Sequence, residues 1–305
     1  MRFKGNRIIT GEAAAFVAAL LVIIIWGETF VSSKVLLDNG MRPADIFFYR
    51  FLLAYICIWF FSPKKLFADS WKDEARMFLL GIFGGSMYFL TENTALSYST
   101  ASNVGILVSS APLITAIAAA FFYKDERMDS RQVGGSLLAF VGMVLVVLNG
   151  KFILHLNTLG DSLALAAAVC WTFYSLILKG TSERYSTVFI TRKVFFYGLV
   201  TMIPYFLFIN PLDPDPTILS RPQVYGNLIY LGLVASLICF LVWNKVVTIL
   251  GTVRTMNLIY TQPFFTMLFS YIILSERITW MAIAGALLIS IGMFFAERKG
   301  APSAS

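Results

Sequence analysis

The chain has 305 residues, 58% of them hydrophobic and 13% charged, about half the charged fraction of an average soluble domain. With a mean hydropathy of +0.76, this composition excludes a water-soluble surface. The net charge of +7 would suit nucleic acid or anionic lipid, but the basic residues sit in short loops between apolar runs of about 20 residues, so membrane topology accounts for them and no nucleic-acid partner is expected.

The runs are near-continuous, which predicts spanning helices and not barrel strands of about ten alternating residues. "MRFKGNRIITGEAAAFVAALLVIII" opens the chain. It resembles a signal peptide, but no small-residue cleavage site follows and further spans do, so it reads as the first helix. In order, the spans are expected near Glu12–Ser33, Ala44–Phe61, Arg76–Leu96, Asn103–Tyr123 and Arg131–Asn149. Five more follow near Thr158–Leu178, Val188–Ile209, Val224–Thr248, Val253–Leu274 and Thr279–Glu297. The longest connection, "NPLDPDPTILSRP", is too rich in proline to continue a helix.

Ten spans put both ends on one side. Sixteen Lys and Arg residues, from Arg2 to Lys299, then share the side of the termini, against Lys34, Arg42, Lys151, Arg221 and Arg277 opposite. Both termini are therefore expected in the cytoplasm. The cysteines, Cys57, Cys170 and Cys239, are odd in number and lie inside apolar runs, as buried small hydrophobes would. His155 is the single histidine, no glycine-rich phosphate loop occurs, and no Cys/His set has metal spacing. No enzyme, metal or cofactor is expected.

The chain repeats itself. Trp26 and Lys34 match Trp171 and Lys179 at an offset of 145 (171 − 26, 179 − 34). Gly81, Asn93 and Pro112 match Gly232, Asn244 and Pro263 at 151, and Glu126-Arg127 and Gly142 match Glu276-Arg277 and Gly292 at 150. Landmarks of unlike chemistry kept in order indicate duplication, with units 1–150 and 151–305. Each unit has five spans, an odd number, so the second enters the membrane from the opposite side. The expected fold is an all-α integral membrane protein of ten transmembrane helices in two five-helix inverted-topology repeats, an architecture of secondary transporters with midplane sites.

"WGETFVSSK" in the first helix, "YRFLLA" in the second, "TALSYSTASNVGILVSSAPLITAIAAAFFYKDER" and its second copy "LIYTQPFFTMLFSYIILSERIT" resemble the drug/metabolite transporter superfamily, and within it the EamA-like ten-helix members. The resemblance covers nearly the whole chain. It implies a carrier in a bacterial inner membrane that exports or exchanges small metabolites such as amino acids, as a monomer or homodimer. Where this chain has Glu28, the family motif often shows a small or polar residue.

Glu28 and Glu92 each lie about 16 residues into outward-running helices, at similar depth. Intramembrane carboxylates usually face a cavity or a partner, and two near one another would titrate apart, as a proton-coupled carrier needs. The alternatives for Glu28 are hydration near the outer interface or a static bridge to Lys34 or Arg50. Six residues of helix turn Lys34 about 120° away from it. Pro112 and Pro263 fall near the centres of helices four and nine and free the carbonyls of Val108 and Ile259, which lipid cannot satisfy. These oxygens must face protein or a wet cavity. Beside them, Ser109, Ser110, Tyr260 and Gln262 can bind substrate or replace the lost hydrogen bonds.

Trp26, Trp171, Tyr174 and Trp243 either line the cavity or pack, and Asn93 and Asn244 either bind substrate or join helices. Arg50 and Arg192 favour an anionic cargo if they face the cavity, whereas Lys193 reads as snorkelling to headgroups. Gly81 and Gly85, matched by Gly232 and Ser236, read as close helix packing. The expected function is secondary active export by alternating access around a small-molecule site, with Glu92 and Glu28 as proton-coupling candidates. Proton-independent exchange of organic anions is the alternative transport mode. A receptor or scaffold would need a soluble region that the spans leave no room for.

Overall fold

A computed structural model describes residues 3–62, 65–99, 101–122, 130–148, 157–213, 215–274 and 279–297. His155, Glu126-Arg127, Glu276-Arg277 and the loop charges Arg2, Lys64, Lys124, Lys151, Arg298 and Lys299 lie outside these residues. Among the described residues all regular structure is helical.

The first unit contributes α1 (Gly11–Asp38), α2 (Pro43–Ile58), α3 (71–98), α4 (101–122) and α5 (Ser130–Leu148). The second contributes α6 (Thr158–Ser182), α7 (Thr187–Phe208), α8 (Pro222–Leu250), α9 (252–274) and α10 (Trp280–Glu297). Helices α1, α6, α7 and α8 are each long and apolar enough to cross a bilayer. Large apolar side chains such as Leu21, Phe121, Leu207 and Phe208 stand exposed on the bundle surface, as a lipid-facing perimeter requires.

Local chemistry sets the ends. Gly40, at φ 93°, turns the chain out of α1, and Pro43 opens α2, where its missing N–H costs nothing. Asn157 caps α6 by accepting the Gly160 N–H at 3.0 Å. Gly251, at φ 85°, lets α8 pass directly into α9.

The interruptions inside the helices recur between the units. A π-helical stretch, Ile82–Ser86, widens α3, and a longer one, Tyr230–Ile238, widens α8. They end at 86 and 238, one residue from the 151 offset. Helix α4 breaks at Ser109 and Ser110 just before Pro112, and α9 tightens to a 3₁₀ turn at Leu258–Thr261 just before Pro263.

Each unit packs its first helices on the other unit's middle ones. Helix α1 lies on α8 and α9, and α6 lies on α3 and α4; α2 meets the π stretch of α8, and α7 meets that of α3. The glycines allow these approaches. A Cβ at Gly81 would strike Tyr197, and one at Gly232 would come within 2.8 Å of Leu53 Cδ2. Helices α5 and α10 pair at the periphery, where a Cβ on Gly142 would lie 2.6 Å from the Gly285 carbonyl oxygen. The core between the units is aromatic: Phe51 makes edge contacts with Phe89, Phe195 and Phe240.

Polar side chains tie the units at both ends of the bundle. Near the α1–α2 turn, Arg42 donates to Asn210 Oδ1 and the Pro211 carbonyl, both at 2.6 Å. At the other end Lys193 pairs with Glu74, and Tyr185 donates to Asp73 at 3.1 Å.

Candidate functional site

A cavity lies where α1, α2, α3 and α4 meet α6, α8 and α9. Its level is set by α6: Trp171, on its wall, stands 13 residues from Thr158 and 11 from Ser182. Counted as space open to the centre of a water molecule it measures about 30 Å³, room for about two waters. That is less than a small metabolite fills.

The wall is built in matched pairs. Trp26 and Trp171 line it at the 145 offset, and Phe89 and Phe240, Val108 and Ile259, and Ala111 and Gln262 line it at 151 (240 − 89, 259 − 108, 262 − 111). The remaining lining residues, Thr29, Arg50, Tyr88 and Glu92, all come from the first unit. The frame is thus symmetric and apolar, while the charge is one-sided. The repeat equivalent of Glu92 is Trp243 (243 − 92 = 151), which is fully buried against Trp26 at 4.9 Å between ring centroids. Where the second unit fills space with an indole, the first holds a carboxylate.

At the second proline position the Ile259 carbonyl is not free: the 3₁₀ turn gives it the Gln262 N–H. Val108 and Ile259, whose carbonyls have lost the N–H four residues on, both line the cavity. The π stretch of α8 also offers backbone: the Trp26 ring N–H donates to the Ala235 carbonyl at 3.0 Å. Such bulges leave carbonyls outside the regular ladder and recur at functional sites. Ser236, in the same stretch, accepts a hydrogen bond from Arg50 Nε at 2.9 Å.

Glu92 is 8% exposed and accepts the Tyr88 hydroxyl at 2.9 Å, one helical turn back. Arg50 is 2% exposed, with its guanidinium 4.3 Å above the centre of the Phe89 ring. Among the described residues, no carboxylate forms an ion pair with Arg50.

The structure separates the sequence candidates. Trp26, Glu92, Trp171 and Gln262 line the cavity, and Gln262 also donates to the Trp26 carbonyl at 3.3 Å. Glu28 does not line it and is not beside Glu92. It accepts two contacts from Ser32 of its own helix, at 2.7 and 2.9 Å. With 100° per residue, Trp26 and Thr29 share a face from which Glu28 is turned away. Lys34 pairs with Asp38 at 3.2 Å, not with Glu28.

Asn93 and Asn244 act as helix joints. Asn93 donates to the Pro43 carbonyl on α2 at 3.2 Å; Asn244 donates to Thr191 on α7 at 2.9 Å and accepts from Tyr174. Tyr174, Trp243 and Tyr260 are fully buried behind the wall. Ser109 is buried beside the α4 break, and Ser110 returns its hydroxyl to the Leu107 carbonyl at 2.6 Å. Pro112 and Pro263 are buried. Lys193 does not snorkel: it is held by Glu74, and Arg192 binds Ser62 at 2.7 Å and lies over Trp59. Tyr88, Phe89 and Phe240 escaped sequence reading, although Tyr88 sits one turn from Glu92 and Phe240 one turn from Asn244.

Bilayer-length apolar helices in one bundle, around an apolar-walled cavity between two duplicated units that holds a buried carboxylate and guanidinium, are the architecture of a multi-pass membrane transporter. Two segments, residues 13–148 and 158–297, match the EamA-like transporter family, and the chain belongs to that family. It is 26% identical to an uncharacterized transporter of Archaeoglobus fulgidus over 92% of this chain and 96% of that protein. It is 28% identical to a protein of Escherichia coli K12 named "Probable amino-acid metabolite efflux pump", over 91% of this chain and 93% of that one. A crystal structure shares the fold with a TM-score of 0.71 at 18% identity, covering 93% of this chain and 97% of its own.

Proposed function

We propose that the protein is a secondary active exporter of small metabolites such as amino acids, working by alternating access. The observation that carries this reading is the cavity itself: both units wall it, both of their proline-interrupted helices reach it, and buried Glu92 and Arg50 share it. On this reading the ten helices form two inverted five-helix repeats in a bacterial inner membrane with both termini cytoplasmic, and the units rock about the cavity. The polar ties at Arg42 and at Lys193 would then open alternately. The amino-acid name of the E. coli relative supports the cargo class.

Glu92 is the coupling group in this reading. In a low-dielectric cavity its charge is offset by Arg50, and binding or losing a proton there changes what the cavity holds most stably. A Glu92→Gln variant in sealed vesicles should lose gradient-driven uptake while still binding cargo; unchanged accumulation would remove the proposal. Arg50, which makes no direct ion pair among the described residues, also favours a second mode, proton-independent exchange of organic anions. Flux that follows a trans substrate and ignores the pH gradient would select it.

A further inference from the structure

We infer that the cavity takes a zwitterionic cargo in one orientation, its carboxylate on Arg50 and its ammonium group on Glu92. This rests on the transport reading above and names the chemistry of what is moved.

Two charged groups with unmet atoms line a common space. The Arg50 guanidinium is anchored at Nε by Ser236 at 2.9 Å and along one face by Phe89, and its two terminal nitrogens have no partner among the described residues. Donors left unmet in a low-dielectric site are costly, so the two terminal nitrogens of Arg50 await an acceptor. A fixed guanidinium fork matches the two oxygens of a carboxylate. Glu92 uses one oxygen for Tyr88, and the other has no partner among the described residues.

Charge decides among cargoes. With Arg50 positive and Glu92 negative the cavity sums to zero, and only a cargo that is itself neutral overall leaves it so. A bare anion or cation adds an uncompensated charge in a low-dielectric site. A zwitterion satisfies both poles, and the apolar frame of Trp26, Phe240, Val108 and Ile259 takes its side chain. Because all four unmatched lining residues come from the first unit, the charged end of the cargo turns toward that unit. Ammonium and proton then compete for Glu92, which is the condition for exchanging one against the other.

The test uses full-length protein in nanodiscs, with L-phenylalanine, L-leucine and L-threonine as probes. Each is set beside its amide, which lacks the carboxylate, and its N-acetyl derivative, which lacks the ammonium group. Binding is read by tryptophan fluorescence. At least one amino acid should bind, and both its derivatives should bind about ten- to a hundredfold more weakly. Arg50→Lys, which keeps the charge but loses the fork, should weaken the amino acid about tenfold and leave its amide unchanged; the retained amide response shows the cavity is folded. Ser236→Ala, acting through Arg50, should do the same more mildly. An amide that binds as well as its amino acid, an Arg50→Lys variant that binds as wild type, or no response to any probe would overturn the inference. Metabolite release from expressing cells separates it from the transport reading. Release of compounds without a carboxylate keeps transport and removes the zwitterion, whereas binding with no protein-dependent release removes transport and keeps the subsite.

Discussion

Asn93 and Asn244 occupy equivalent positions in the two units, yet replacing each by leucine should cost very different amounts. Asn244 is 1% exposed and serves two helices, accepting the Tyr174 hydroxyl and donating to Thr191 at 2.9 Å. Leucine there strands both hydroxyls. Thr191 can turn back to its own helix, but Tyr174 is too long and too buried to do so. Interhelical hydrogen bonds in membranes are worth about 0.6 kcal/mol on average and about 1.7 at most, and an orphaned buried donor costs about 1–3 kcal/mol. The expected loss is about 2–3 kcal/mol.

Asn93 donates one bond, at 3.2 Å, and its Oδ1 is already buried without a partner. Leucine removes a modest bond and an unmet acceptor together, so the change should stay within about 0.5 kcal/mol. Unfolding in mixed micelles, followed by far-UV circular dichroism, measures both. In a cycle with Tyr174→Phe the Asn244→Leu costs should fall short of additivity by about 1 kcal/mol. Neither residue lines the cavity, so transport per folded molecule should hold within about twofold. Equal stability of the two leucine variants would refute the reasoning, as would a folded Asn244→Leu protein that no longer transports.

A methyl group at Gly84 would run into the Tyr174 ring, so Gly84→Ala should destabilise by about 1–3 kcal/mol and lower the yield of monodisperse protein in detergent. Arg42→Ala removes the contacts to Asn210 and Pro211 while costing about 1–2 kcal/mol; a cysteine placed at Thr29 should then label faster from the side of the α1–α2 turn. Cysteines placed before α1 and between α5 and α6 should label from opposite faces of the membrane, and labelling from one face would exclude the inverted arrangement. In loops at opposite ends of the bundle, Asp69 is held under the ordinary carboxylate range by Lys65, and Asp215 by the Thr217 hydroxyl and N–H. Both folded values lie below the unfolded one, so their stabilisation is complete above about pH 4 and fades as pH falls through the folded values. Melting temperature should be flat from pH 7 to about 5 and drop below 4, with the part due to Asp215 absent in Asp215→Asn.

Much of the site's level was legible. Pro112 and Pro263 mark where α4 and α9 must break, because a missing N–H is a property of the chain alone, and Val108 and Ile259 reach the cavity. The matched Gly81 and Gly232 announced close approach, and the π stretch of α3 begins right after the one while that of α8 contains the other. The π geometry itself left no sequence mark, since apolar residues propagate α and π turns alike. Glu28 and Glu92 could not be ranked from depth. Both are carboxylates far along apolar helices, and one is satisfied by a serine four residues on while the other faces the cavity.

The sequence by itself determined the membrane class, the duplication and the points of helix interruption, for these depend on hydrophobicity, spacing and backbone chemistry within single segments. The direction in which each side chain points was decided only by tertiary structure. A helix fixes relative angles at 100° per residue, but its rotation about its own axis is set by neighbours distant in the chain. Arg50 reaches the cavity because Ser236, 186 residues away, anchors it, and Trp26 is oriented by Ala235, 209 residues away. Contacts across such separations arise only when the two units pack.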